Sequence, residues 1–245
     1  MVKTKIYLLT FILLFSATIL FYCSNKKIIT DANFITYIVD AQKQNIKLYW
    51  KDEANKNFSS IQNLNQWVEK NNQKLLFAMN GGMYTTDGSP QGLYIENEKL
   101  LSPLDTASGD GNFYLKPNGV FYITTDNIAG ICSSLNFIGK EKIKYATQSG
   151  PLLLIDGEIH PAFQQGSPNV NTRNGVGILP DNKIVFILSK KPVSFFDFAK
   201  YFKSLGCTNA LYLDGLVSRA YLPEQNWIQT DGNFGVMIGV TENIN

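Results

Sequence analysis

The chain has 245 residues, 44% of them hydrophobic and 17% charged, which excludes a disordered protein and leaves room for one sizeable core. Residues 1–23 carry Lys3 and Lys5 and no acid, so the formal charge of +2 falls to zero beyond them, with 20 basic against 20 acidic residues. Lys and Arg are scattered rather than clustered, which argues against a nucleic acid partner.

The N-terminus sets the organisation. Lys3 and Lys5 precede an apolar, charge-free run from Ile6 to Cys23, the pattern of an export signal. Leu20-Phe21-Tyr22-Cys23 resembles a lipoprotein box, except that the residue before the cysteine is normally small and here is Tyr22. An uncleaved anchor competes with lipidation of Cys23, because about 18 apolar residues are just enough to span a bilayer. The expectation is a protein exported to the bacterial periplasm or outer surface. Residues 1–25 would be the targeting or anchoring segment and its only membrane contact, with one domain over 26–245. Cys132 and Cys207 then either pair in an oxidising compartment or serve as small buried hydrophobes.

Beyond a polar tether, Phe34–Val39 and Ile46–Trp50 read as paired strands. The stretch Asn57–Asn71 places Ile61, Leu64, Trp67 and Val68 on one face at helical spacing, predicting an amphipathic helix against a sheet. Lys74–Met79 is the next strand and runs into Asn80-Gly81-Gly82. Phe113–Leu115 and Val120–Ile123 flank Pro117-Asn118-Gly119, whose Asn-Gly pair suits a hairpin. Leu152–Ile155 leads into an Asp156-Gly157 turn, and Val176–Leu179 and Lys183–Leu188 flank Pro180-Asp181-Asn182.

Ile184–Leu188 is an apolar strand, and Ser194-Phe195-Phe196-Asp197 reads as a capping box. The helix it opens runs to Leu205, where Gly206 stops it, and Ala210–Leu213 is a second buried strand. Strand, helix, strand over this length predicts a parallel βαβ crossover, with Asp214 at the carboxyl end of its second strand. The fold class is α+β: a strand-rich mixed sheet with antiparallel hairpins, one βαβ crossover and two or more packed helices.

Absences narrow the chemistry. A single histidine, His160, excludes zinc sites built on two or more, and beside Pro161 it reads as a loop residue. No Gly-x-Ser-x-Gly elbow, phosphate-binding loop or dinucleotide fingerprint occurs. What remains is a set of polar residues in glycine-rich turns after strands. The backbone amides of Asn80-Gly81-Gly82 suit an anion, the planar fork of Arg173 in Arg173-Asn174-Gly175 matches phosphate oxygens, and Asp214-Gly215 offers a carboxylate at a sheet edge.

Five stretches carry a resemblance: Phe77–Tyr84, Gly88–Leu93, Gln148–Leu153, Thr172–Gly177 and Ala210–Gly215. Together, in this order, they resemble the phosphodiester glycosidase family, one of whose members removes N-acetylglucosamine to uncover mannose 6-phosphate. Many members continue Leu-Asp-Gly-Gly-x-Ser-Ser, whereas this chain reads Leu213-Asp214-Gly215-Leu216-Val217-Ser218-Arg219. The departure implies that Leu216 narrows the pocket and that Arg219 adds a cation facing phosphate or solvent.

The resemblance implies hydrolysis of a sugar-1-phosphodiester in a glycan or cell-envelope polymer, and the residues divide the work as follows. Arg173 and the Asn80–Gly82 amides hold phosphate, Asn174 and Ser149 position it, and Asp214 is the base or stabilising carboxylate. Asp214, Arg173 and Asn80 form the catalytic set, with Gly81, Gly82, Ser149, Asn174, Gly215 and Ser218 binding substrate. A phosphate monoester leaves readily, so a site without histidine is chemically reasonable. Asp87 and Asp231, both beside glycine, are candidates for a second acid, with the turn-former reading the stronger of the two. No cofactor is required, and no ligand spacing demands a metal, although acids from Asp105 to Asp110 would offer oxygen ligands to a divalent cation. The alternative reading is a non-catalytic surface lipoprotein that binds phosphorylated glycans.

Overall fold

The structure, a computed structural model, describes residues 31–137 and 142–244. The export-signal run and Cys23 lie outside them. Among the described residues no helix is long and apolar enough to cross a membrane.

The elements in chain order are β1 (Phe34–Val39), β2 (Asn45–Tyr49), α1 (Ile61–Lys70), β3 (Gln73–Gly82), β4 (Tyr94–Glu96) and β5 (Lys99–Ser102). There follow β6 (Gly119–Thr124), β7 (Ala129–Ser133), β8 (Ile143–Ser149), β9 (Leu152–Ile155), β10 (Glu158–Ile159) and β11 (Asn174–Ile178). The last are β12 (Ile184–Ser189), α2 (Phe195–Ser204), β13 (Asn209–Asp214), β14 (Ala220–Leu222), β15 (Trp227–Ile228) and β16 (Val236–Asn243). They form three sheets in the orders β1-β12-β11-β13-β9-β10, β15-β14-β3-β16-β2 and β5-β4-β8-β6-β7.

The class is α+β, and every ladder between these strands is antiparallel. The crossover therefore takes a different form from the one expected. Strand β12, helix α2 and strand β13 follow in sequence, but β11 lies between the two strands and pairs antiparallel with both. Two other pairings also differ. Strands β1 and β2 do not pair with each other: β1 joins β12 and β2 joins β16. Residues Asn112–Tyr114 form a short 3-10 turn rather than a strand, and β6 pairs with β7 and β8.

Local signals explain what the chain does reliably. Ser60 caps α1 by accepting the Asn63 N–H at 3.2 Å, and Ser194 caps α2 by accepting the Asp197 N–H at 3.0 Å. Gly206, at φ 84°, supplies the left-handed residue that ends α2. Asp156 and Gly157, both at positive φ, turn β9 into β10.

One core is shared by all three sheets. Tyr37 of β1 stacks on Phe77 of β3 at 4.6 Å, Phe77 on Phe186 of β12 at 5.3 Å, and Phe186 meets the edge of Phe121 of β6 at 6.0 Å. Strand β12 is apolar from Ile184 to Leu188 because both its faces are covered. Ile184, Phe186 and Leu188 point into the shared core, while Val185 and Ile187 pack under α2 with Phe198 and Phe202. Truncating Phe186 to Ala would cost about 3–5 kcal/mol, since nothing adjacent can fill the void. Helix α1 covers the second sheet through Ile61, Leu64 and Val68. Cys207 is a buried free thiol in the layer under α2 and Cys132 belongs to the separate cluster behind the third sheet, so the two are not bridged.

Candidate active site

The site forms where strand ends from different sheets meet: the end of β3, the start of β11 and the end of β13. A bulge aims its carboxylate. Asn174 faces Asp214 while Gly175 faces Tyr212, so Leu213 is an extra residue and the normal alternation is broken there. Leu213 and Asp214 thereby both turn toward the side where Asn174 and Asn80 lie, and Tyr212 stays on the side of α2.

Asn80 and Asn174 are fully buried and lock the carboxylate in place. Asn174 Nδ2 donates to the Asn80 carbonyl at 2.8 Å and to Asn80 Oδ1 at 3.0 Å, while its Oδ1 accepts the Asp214 backbone N–H at 2.8 Å. Asn80 Oδ1 also accepts the Arg219 backbone N–H at 3.1 Å, which leaves Nδ2 to donate to Asp214 Oδ2 at 3.2 Å. The other carboxylate oxygen accepts the Gly215 N–H at 2.6 Å. Burial pushes the Asp214 carboxyl up to about 6, against the pull of the Gly215 and Asn80 donors. A carboxylate of that basicity is suited to taking a proton near neutral pH.

Arg173 is completely buried on the α2 side. Its guanidinium lies 3.6 Å from the centre of the Phe195 ring, Nε donates to the Val193 carbonyl at 2.8 Å, and Nη2 donates to the Asn169 carbonyl at 3.0 Å and its Oδ1 at 3.1 Å. Nη1 is buried and closes no hydrogen bond. A cleft of about 220 Å³, lined among others by Asn112, Phe163, Asn169, Phe195 and Phe196, opens beside it.

Similarity to known proteins follows this geometry. The phosphodiester glycosidase profile matches residues 73–241, which include all the site residues above. The chain belongs to the phosphodiester glycosidase family. An uncharacterized Escherichia coli K12 protein, YigE, is 38% identical over 187 residues, 76% of this chain and 73% of its own length. Among solved structures, the catalytic domain of zebrafish N-acetylglucosamine-1-phosphodiester α-N-acetylglucosaminidase, auto-inhibited by its pro-peptide, shares the fold with a TM-score of 0.60. It is 16% identical, and the match covers 90% of this chain and 85% of that one. A putative exported protein of Burkholderia pseudomallei K96243 aligns with a TM-score of 0.53 at 10% identity, over 84% of this chain and 73% of that one.

Within this phosphodiester glycosidase fold, several expected roles change. Asn80-Gly81-Gly82 is no turn; it is the end of β3, and its glycines answer to packing. A Cβ on Gly81 would sit 2.7 Å from Ile238 Cγ1, and one on Gly82 would sit 2.5 Å from Thr147 Oγ1. Ser149 spends its hydroxyl on the Leu213 carbonyl at 2.7 Å, and Ser218 spends its own on the Gly215 carbonyl, so both hold backbone rather than face a ligand. The two-nitrogen grip expected of Arg173 is not available, because Nε and Nη2 are committed to carbonyls.

The second-acid candidates also resolve. Asp87 is an exposed turn former, taking Thr85 and Ser89 hydroxyls and the Ser89 N–H, and those bonds hold its carboxyl below the usual range. Asp231 is held ionised by Arg219 Nε, 3.0 and 3.1 Å from its two oxygens. Leu216 is 79% exposed and narrows nothing; it points into solvent. Among the described residues no three acids, histidines or cysteines group as a metal site. His160 is buried, with Nδ1 accepting the Ala162 N–H and Nε2 therefore donating to the Lys116 carbonyl at 3.1 Å, a loop-bracing role.

Tyr84 and Tyr212 were not among the expected site residues. Burial and then the Asp214 charge push the Tyr84 phenol up. Tyr212 is buried, and its hydroxyl occupies the space a side chain on Gly215 would need, 2.1 Å from the ideal Cβ. The Asp-Gly pair thus requires glycine because of Tyr212. A tyrosine two residues before a strand-end carboxylate is the one sequence signal for it.

Proposed function

We propose that the protein hydrolyses a sugar-1-phosphodiester bond in a glycan or cell-envelope polymer, with Asp214 acting at the anomeric centre. The observation that carries this reading is the meeting of Asn80, Asn174 and Asp214, from three distant stretches, in one hydrogen-bonded cluster whose Asn174 directly follows the buried Arg173 in the chain. Family membership supports a glycosidase-type hydrolase. The zebrafish enzyme, whose name describes cleavage of such a bond, supports the bond type through its shared fold.

The chemistry divides between two ends of the site. Asp214 in its ionised form takes a proton from water as the water oxygen bonds to the anomeric carbon. The departing phosphate monoester carries away the bonding electrons and needs charge stabilisation more than a proton. Arg173 supplies it through Nη1, the one guanidinium nitrogen still uncommitted. Lys3, Lys5 and the apolar run to Cys23 support placing this reaction outside the cytoplasm, with the chain held at a membrane by that segment.

The test is turnover of a methyl ester of N-acetylglucosamine 1-phosphate by the wild type and by Asp214→Asn. The variant keeps the shape and loses the base, so turnover should vanish while the fold persists. Equal turnover by the two proteins would overturn the assignment.

A further inference from the structure

We infer that Tyr212 is a catalytic residue whose hydroxyl donates a hydrogen bond to the departing phosphate oxygen, between Arg173 and Asp214. The inference rests on the proposed hydrolysis and adds to it a second donor on the leaving-group side.

Three observations converge on this hydroxyl. Its position is fixed: Tyr212 is 1% exposed, its ring packs edge-on to Phe195 at 4.9 Å, and Arg173 lies 5.6 Å from the ring centre. The hydroxyl also reaches the carboxylate end of the site, because it fills the space beside Gly215, whose N–H is bound to Asp214 Oδ1. Finally, beyond the effect of burial, the Arg173 charge pulls the same phenol down while the Asp214 charge reaches it and pushes it up.

The proton inventory follows from those neighbours. The phenol carries one hydrogen of its own, available to an acceptor that enters between Arg173 and Asp214. Arg173 Nη1, buried and without a closed hydrogen bond, faces the same need for an acceptor. An anionic oxygen satisfies both donors at once. The phenol stays protonated throughout, since burial pushes it up to about 12.

In the reaction, the bond between the anomeric carbon and the phosphate oxygen breaks, and its electron pair stays on that oxygen. The water oxygen bonds to the anomeric carbon and its proton passes to Asp214. Tyr212 keeps its proton and strengthens its hydrogen bond as charge builds on the departing oxygen, which is the condition for lowering the barrier rather than merely binding.

The experiment compares wild type and Tyr212→Phe on the methyl and nitrophenyl esters of N-acetylglucosamine 1-phosphate. Losing one such donor should lower kcat on the methyl ester on the order of a hundredfold, with KM nearly unchanged. The defect should shrink on the nitrophenyl ester, whose phosphate leaves with less charge to stabilise. A purely structural role would depress both substrates equally and move KM. Active wild type with a Tyr212→Phe variant within about twofold of it, or equally depressed on both esters, overturns this inference alone. Wild type inactive on both esters overturns the parent reading and this one with it. If Tyr212→Phe fails to fold, Gly215→Ala, whose methyl would displace the Tyr212 hydroxyl, carries the same comparison.

Discussion

Asn80 Nδ2 donates to Asp214 Oδ2 at 3.2 Å, and it has no other orientation available because Asn80 Oδ1 already accepts the Arg219 N–H. The asparagine therefore holds the carboxylate and partly offsets the burial that raises its pKa. Asn80→Ala would strand the Arg219 N–H in the interior and leave the Asn174 amide only the residue-80 carbonyl, at about 1–3 kcal/mol. It would also raise Asp214 further. Urea unfolding should show the loss, and the acid limb of the pH–rate profile should move upward; an unmoved limb would contradict the pairing.

Asp214 makes the protein less stable at neutral pH than in mild acid. Its carboxyl titrates at about 6 in the fold against 3.8 when free. Between those values the native state binds more protons than the unfolded chain, so this group's contribution is full below about pH 4 and is lost as pH rises through about 6. Integrated, that is at most about 3 kcal/mol. Asp214→Asn should melt higher than wild type at pH 7, with the gap closing near pH 4. Calorimetry at the two pH values checks it, and a variant less stable at pH 7 would contradict it. Activity runs the opposite way, rising through pH 6 as the base ionises.

Gly215 and Tyr212 should behave as one unit. A Cβ at 215 meets the Tyr212 hydroxyl at 2.1 Å but its Cζ at 3.4 Å, so the obstruction is the hydroxyl. Gly215→Ala alone should destabilise by about 1–3 kcal/mol. Adding Tyr212→Phe should recover most of that loss, which a double-mutant cycle in urea measures. Additive effects would place the two groups apart.

Arg173 is structural as well as functional. Arg173→Ala strands the Asn169 carbonyl, takes one of two donors from the Val193 carbonyl and uncovers Phe195, which should cost on the order of 3 kcal/mol. Asp87→Asn, at an exposed turn remote in bonding from the cluster, should leave turnover unchanged. A thermal melt with an activity assay separates the two, and loss of turnover in Asp87→Asn would return it to the catalytic set.

The parts of this structure that could be read from sequence are those decided within a few residues. Ser194 and Gly206 bound a helix through their own backbone demands, and Asp156-Gly157 and Pro180–Asn182 close hairpins for the same reason. Partners of β1 and β2 could not be read, because their choice depends on which distant strand completes each core face. The parallel crossover was half legible: α2 and its flanking strands are local, while the insertion of β11 between them is not.

The site shows the same division. Asn80, Asn174 and Asp214 stood out as polar residues at strand ends. The bulge at Leu213 was hidden, since it exists only as a register mismatch with β11. Gly81 and Gly82 looked like amide donors, but only the closeness of Ile238 and Thr147 reveals them as packing glycines. Tyr212 sat inside an apolar strand and read as core.

The most direct test of the account is hydrolysis in heavy-oxygen water, with the products weighed by mass spectrometry. Attack at the anomeric centre, assisted by Asp214, puts the solvent oxygen on the released sugar and leaves the phosphate monoester unlabelled. Label in the phosphate would mean that water attacks phosphorus, and the roles given to Asp214 and Arg173 would be wrong.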